Sequence, residues 1–263
     1  MHARLQESLS TYSVNTDSLN VGICNLLFQE KDLLMYRILS KKMIFVSFGW
    51  LVAGLFAIAY SLPHLTSIEL KASSIPGLSW LILSLFLWNP IWRWLWRVFP
   101  ALAKLVFPDL NGRWRVELTS NWPRQQQLLD AGASTTNTID MRQCPPDQLA
   151  QLTPIVLEAE ITQTWWAFEM RLWNPNGNTP IDRSDTISVD PFPKKGLQAP
   201  GICYFYKQTN STDNVSDDNE FYGAARLEYN PESDQLVGLA WTARMWRRAM
   251  NTAGPVTFTR LRR

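Results

Sequence analysis

The sequence predicts an α+β membrane protein: an N-terminal two-helix transmembrane hairpin followed by an eight-stranded antiparallel β-barrel. Three observations predict it. Two uncharged stretches of twenty and twenty-one residues lie close together, Met43 to Leu62 and Ala72 to Trp92. Four of the thirteen tryptophans crowd into WNPIWRWLWRVFP (Trp88–Pro100), with Arg93 and Arg97 set among them. From Asn111 onward the chain changes to short alternating runs separated by turn residues. The expected organisation is a cytoplasmic segment over residues 1–42, the hairpin with an interfacial extension over 43–107, and a ligand-binding β domain over 108–263.

The N-terminal segment is polar from Ser8 to Asn20 and intermittently apolar from Leu26 to Leu39, which suggests a helix running into the first span behind a loose tail. A spanning helix needs roughly 20 mostly apolar residues. The first stretch meets this outright. In the second, Pro76, Gly77 and Pro90 confine the best helix to Leu78–Trp88. The alternative is a hydrophobic helical hairpin buried in a large core. The connecting loop, Pro63–Lys71, holds His64, Glu69 and Lys71, whereas both outer flanks are basic: Arg37, Lys41 and Lys42 before, Arg93, Arg97 and Lys104 after. The positive-inside rule then places both termini and the β domain in the cytoplasm. Trp88, Trp92, Trp94 and Trp96 are expected to anchor the hairpin at headgroup level, with Arg93 and Arg97 snorkelling to phosphates. The continuation through PALAKLVF would lie along the inner leaflet.

Charge is nearly balanced, 25 Lys and Arg against 23 Asp and Glu, so nothing points to a long nucleic acid. Cys24, Cys144 and Cys203 lack CxxC spacing and read as reduced thiols. The two histidines, His2 and His64, lie outside the β domain. No P-loop, GxSxG, HExxH or paired glycine-rich fingerprint occurs. The expectation is therefore no enzyme, no catalytic residue, no metal and no cofactor.

The alternating runs are WRVELTS (114–120), IVLEAEITQ (155–163), WWAFEMRLW (165–173), DTISVD (185–190), ICYFYKQ (202–208), FYGAARLEY (221–229), QLVGLAWTA (235–243) and VTFTRLR (256–262). NPNGN (174–178) and NPESD (230–234) mark turns, and RQQQLLDA (124–131) is the one helical candidate. Eight such strands fit an up-and-down barrel or a sandwich, and an eight-stranded barrel can hold one small ligand. The acidic loop Thr209–Asn219 reads as a solvated connection without a site. Strand one opens Asn111-Gly112-Arg113-Trp114, and the last strand carries Arg260. In lipocalin-like barrels the Trp of such an opening plugs the floor and an Arg from the final strand packs across its face. The alternative is an ordinary buried Trp and a surface Arg.

The order of these features carries a family resemblance. A two-helix hairpin, then Phe107-Pro108-Asp109-Leu110 leading into NGRWRVELTSNW, then GLAWTARMWRR and a closing GPVTFTRLRR, resembles the two-transmembrane β-barrel effectors of bacterial cyclic-oligonucleotide (CBASS) antiphage systems. The likeness covers about residues 40–263. It implies that the barrel binds a cyclic dinucleotide made by a partner nucleotidyltransferase. It further implies that binding drives homo-oligomerisation, and that the hairpins then disrupt the bacterial inner membrane to kill the infected cell.

Such a ligand asks for aromatic planes, cations and hydroxyl or amide groups. Trp166 shares one face of strand three with Phe168, Met170 and Leu172, and Tyr204 and Tyr206 share a face of strand five. Gly223 and Ala225 of strand six and Gly238, Ala240 and Thr242 of strand seven would line a hollow if they point inward. With strand seven flipped, Val237, Leu239 and Trp241 fill the core and Arg244 lies outside. Alternation leaves both open, since a one-residue slip exchanges the faces. The resemblance favours Trp241, Thr242 and Arg244 at the pocket. Arg247 and Arg248 read as a solvated basic face or one touching anionic lipid; Arg244 reads equally as phosphate capture. A different function class, a membrane-anchored lipocalin-like carrier of an apolar ligand, would want an apolar lining and no inward arginine.

Overall fold

The computed structural model describes residues 41–65, 71–136, 139–177, 179–212 and 217–261. The segment expected over 1–42 lies, but for its last two residues, outside the described residues, as does the centre of the connecting loop. Helix α1 spans Lys41–Leu65 and packs against α2, Ile75–Leu87. Helices α3 (Asn89–Val98) and α4 (Pro100–Leu105) follow. Proline sits at the first or second position of α2, α3 and α4, where its missing N–H is harmless. Pro90 also cannot donate to the carbonyl one turn back, so α2 stops and Trp88 turns extended. The uncharged stretch through Trp92 is therefore two helices, bent by 72°. No single helix among the described residues is long and apolar enough to cross a membrane, while α2 and α3 pass that test together. Large apolar side chains on α1 and α2 stand exposed, among them Phe45, Trp50, Trp80 and Phe86.

The β domain is a closed, eight-stranded barrel in which each strand pairs antiparallel with the next and β8 returns to β1. The strands are β1 Gly112–Ser120, β2 Thr153–Gln163, β3 Phe168–Trp173, β4 Ile181–Phe192, β5 Gly201–Asn210, β6 Glu220–Asn230, β7 Gln235–Thr242 and β8 Ala253–Arg260. Closure excludes the sandwich. Helix α5, Trp122–Ala133, occupies the predicted helical site between β1 and β2.

Most strand ends differ from expectation by a residue or two; the starts of β3, β4 and β8 differ by three or four, β8 beginning at Ala253 ahead of the predicted Val256. β3 begins at Phe168, not Trp165, because Thr164 makes a tight turn. Its N–H donates to the Ala167 carbonyl at 2.8 Å, and its hydroxyl accepts from the N–H groups of Trp166 and Ala167 at 3.1 and 2.7 Å. β4 starts at Ile181, ahead of the predicted Asp185, and its register with β5 shifts twice, between Ile181 and Arg183 and between Thr186 and Ser188. Such irregularities put residues out of phase and hide a strand from an alternation test.

The barrel floor gathers the start of β1 and the end of β8. Trp114 is fully buried and donates its indole N–H to the Leu110 carbonyl at 3.0 Å. The Arg260 guanidinium lies 4.2 Å from the centre of the Trp114 ring. Its Nη1 and Nη2 donate to the carbonyls of Asn111 and Asp109 at 2.6 and 2.7 Å, and Nε pairs with Asp234 at 2.9 Å. Gly112 passes under it at φ +129°, a conformation that side chains disfavour. The buried Gln163 amide accepts from the Leu110 N–H at 2.7 Å and donates to the Pro108 carbonyl at 3.2 Å.

Helix α3 docks on this floor. Trp92 is 2% exposed and meets Trp96 and Trp165 edge-on at 5.6 and 6.0 Å. Trp96 donates to the Phe107 carbonyl at 2.7 Å, and Arg93 pairs with Asp109 at 3.0 Å. Of the six residues expected at the headgroups, Trp92 and Trp96 thus face the protein and Arg93 is engaged by a carboxylate. Residues one turn apart share a helix face, and here that face meets Trp165. Trp88, Trp94 and Arg97 remain exposed.

Removing the floor plug should be costly. Trp114→Ala is expected to destabilise the barrel by about 3–5 kcal/mol, and Arg260→Ala by less, roughly 1–3 kcal/mol. Thermal unfolding of the full chain in a non-ionic detergent, followed by near-UV circular dichroism, measures both. A wild-type melting curve for Trp114→Ala would show that the floor does not depend on it.

Candidate ligand-binding site

The barrel mouth lies opposite the floor. Along β5 the buried residues run from floor to mouth as Ile202, Tyr204, Tyr206, Gln208 and Asn210. The lining therefore passes from aliphatic through aromatic to amide. The two tyrosine rings lie 5.5 Å apart. Their partners across the ladder are Ala225 for Tyr204 and Gly223 for Tyr206. A Cβ on Gly223 would stand 2.3 Å from the Tyr206 ring. The hollow expected beside the small residues of β6 is thus where the tyrosine rings lie. Burial raises both phenols well above their ordinary pKa, so both stay neutral hydrogen-bonding groups.

Above the tyrosines, Gln208 donates to the Asn210 side-chain oxygen at 2.8 Å. The Asn210 amide nitrogen, on a residue only 4% exposed, has no partner among the described residues. An unmet buried donor costs about 1–3 kcal/mol, so an acceptor placed there would bind favourably. Ser184 is also buried and faces Gln208 across the β4–β5 ladder. The hydroxyls of Thr242 and Thr252 meet at 2.7 Å.

Arg244 closes the mouth. Its Nε and Nη2 grip both oxygens of Asp217 at 2.8 and 2.5 Å, and its guanidinium lies 4.9 Å from the Trp122 ring at the start of α5. Asp218 accepts from the Met245 N–H at 2.6 Å. A cleft of about 570 Å³ opens beside them, lined by Lys207, Phe221, Met245, Trp246 and Arg247. Arg247 lies 5.4 Å from the exposed Trp246 ring, and Arg248 is exposed too. The stretch Thr209–Asn219, expected to be a solvated loop without a site, brings Asn210 and Asp217 to the mouth. Its acidic composition disguised this, because an acid pairing with a distant arginine looks like any solvated acid.

The open question about β7 is resolved. Leu236 and Ala240 are buried, whereas Val237, Leu239 and Trp241 are 45%, 59% and 49% exposed. Tyr204, Tyr206 and Thr242 line the interior and Arg244 sits at its mouth, but Trp241 does not join them. It lies five residues from fully buried Leu236, hence on the other face. Trp166 is displaced as well: the Thr164 turn leaves it 47% exposed, near Trp80 and Trp88. Gln208, Asn210, Asp217 and Trp122 were missed. The first two share the alternation of Tyr204 and Tyr206 and could have been found from it.

The tyrosine seat is testable by packing. Gly223→Val should destabilise the barrel by about 1–3 kcal/mol through overlap with the Tyr206 ring. In a Tyr206→Ala background the same Gly223→Val change should cost far less, a coupling that a double-mutant cycle of melting temperatures reads directly. Independent, additive effects would mean that the two positions do not share this space.

Among known proteins, the chain is similar to the CD-NTase-associated protein 15 of Escherichia albertii. The two are 25% identical over 173 residues, which cover 64% of this chain and 71% of that protein. No family model matches the chain, and no solved structure matches it.

Proposed function

We propose that the chain is the membrane effector of a CBASS antiphage system, a ligand-gated membrane disruptor rather than an enzyme. The association with such a system is supported by the similarity to a CD-NTase-associated protein and by the closed barrel. The observation that carries the ligand reading is the mouth half of the barrel interior. There an unpartnered Asn210 amide and two neutral tyrosines lie along β5, and Arg244 follows the mouth end of β7. A cyclic dinucleotide offers each a partner: a base edge for the amide, flat faces for the rings and a phosphate to compete with Asp217 for the guanidinium. Asp217 holds Arg244 in the position of that phosphate, so ligand entry replaces one anion by another. A carrier of apolar ligands would have no use for a polar rim of Gln208, Asn210 and Arg244.

The same reading gives the outer wall and the helices a role. Phe205 and Tyr222 stack at 5.9 Å on the outside of β5 and β6, beside exposed Leu239 and Trp241 of β7. An exposed apolar patch of this kind favours association with another copy. Exposed Phe45, Trp50, Trp80 and Phe86 suit a lipid surround for α1 and α2, inserted in the inner membrane with both termini inside. Clustered barrels then concentrate their hairpins in one membrane patch.

Calorimetry of the full chain in a non-ionic detergent, against a panel of cyclic dinucleotides, tests the reading. Arg244→Ala should weaken binding about 10- to 100-fold, as loss of a charged hydrogen bond does. The pair Leu239→Ser and Trp241→Ser should leave binding intact and abolish ligand-induced assembly in sedimentation. No binding across the panel, with toxicity in cells lacking any such nucleotide, would overturn the proposal.

A further inference from the structure

A second cleft, of about 670 Å³, lies at the floor end of the barrel, between α3, α4 and the turn joining β4 to β5. It is lined by Arg97 of α3, Lys104 of α4 and Lys194 of the turn, all exposed. None of the three makes a salt bridge with a described residue. The carboxylate in the cleft, Asp109, is already engaged by Arg93 at 3.0 Å. Three unmatched cations therefore face one hollow, while its other walls include Trp96, Pro100 and Leu197.

Leu197 is the second observation. It stands fully exposed at the tip of a two-residue turn, where Lys195 and Gln198 exchange backbone hydrogen bonds at 3.3 and 3.0 Å. The turn projects a leucine from between two lysines and the barrel wall. An interfacial loop puts such an apolar residue into the acyl boundary and its lysines among headgroups. The turn shares the floor end with α3, which continues from α2, one of the two helices proposed to enter the bilayer.

We infer that this cleft binds the phosphate of an anionic phospholipid, with Arg97, Lys104 and Lys194 as the phosphate ligands and Leu197 against the acyl chains. Two chemistries meet in it, cations and an apolar wall, as they meet in a phospholipid. A free phosphate would satisfy only the first. The assignment rests on the reading that the helices enter the membrane. It adds a contact that would seat the barrel on the leaflet, at the end opposite the mouth. Lipid then enters as a ligand of the folded protein as well as its solvent.

Native mass spectrometry of the full chain, released from a non-ionic detergent, tests this with dioctanoyl phosphatidylglycerol, dioctanoyl phosphatidylcholine and inorganic phosphate. The anionic lipid should bind about tenfold more tightly than the zwitterionic one. Lys104→Gln with Lys194→Gln should remove that preference and leave phosphatidylcholine unchanged. Leu197→Ser should weaken both lipids alike. Equal binding of the two lipids, or an undiminished preference in the double variant, would overturn the site. Displacement of phosphatidylglycerol by equimolar phosphate would overturn its assignment to lipid. Cyclic dinucleotide binding at the mouth, titrated on the same variants, should be unaffected, so failure of the effector reading and failure of the lipid site show in separate measurements.

Discussion

The guanidinium of Arg260 joins the closure of the barrel to the attachment of the helices. It stacks on Trp114, pairs with Asp234 and donates to the carbonyls of Asn111 and Asp109, all at once. Only a planar fork with several fixed donors can do this; a lysine ammonium would reach one or two of these partners without stacking. The Asp109 residue that lends its carbonyl to Arg260 lends its carboxylate to Arg93. Gln163, at the end of β2, holds the two neighbours of Asp109 in the chain. The linker between helix and barrel is thereby fixed by both, and α3 takes its orientation from the floor. A movement of the barrel cannot leave α3 behind.

The interior follows from a similar economy of charge. Arg244 at the mouth is 17% exposed, and a cation so placed needs an anion. Asp217 supplies it from within the chain, and Trp122 covers the other face. On the proposed function this arrangement would also act as a filter. A simple anion offers Arg244 no more than Asp217 already does. A ligand that also covers the tyrosines and satisfies Asn210 offers more. Selectivity on the proposed function thus arises from what accompanies the phosphate, in addition to the phosphate itself.

Much of this was legible in the sequence, and the failures are informative. Alternation found every strand because most strands of a closed barrel have one wet and one dry face. It missed the beginning of β4, where a register shift breaks the period, and misplaced the start of β3, where a threonine turn imitates a strand residue. It could not orient β7, because that strand is apolar on both faces: Gly238 and Ala240 are small to suit neighbours inside, while Leu239 and Trp241 are large outside. The tryptophan-rich segment invited a single explanation and has two. Trp92 belongs to the protein core and Trp94 to its surface, a division set by helical period rather than composition. Long-range pairing, as between Arg244 and Asp217, leaves no local trace at all.

Closure of the barrel has one further consequence. Among the described residues, each strand is hydrogen-bonded to a neighbour on both sides. The one splayed seam is between β3 and β4, which meet only over Arg171–Trp173 and Arg183–Asp185, so that β4 beyond Thr186 pairs with β5 alone. On the proposed function, contact between copies would be made by side chains, such as those of Phe205, Tyr222, Leu239 and Trp241. Backbone ladders propagate regardless of sequence and are slow to undo. A side-chain contact has a defined geometry and comes apart when the population that favours it declines. A barrel held together by its own ladders would, on the proposed function, gather its copies through such side chains and release them again rather than pass into a fibre.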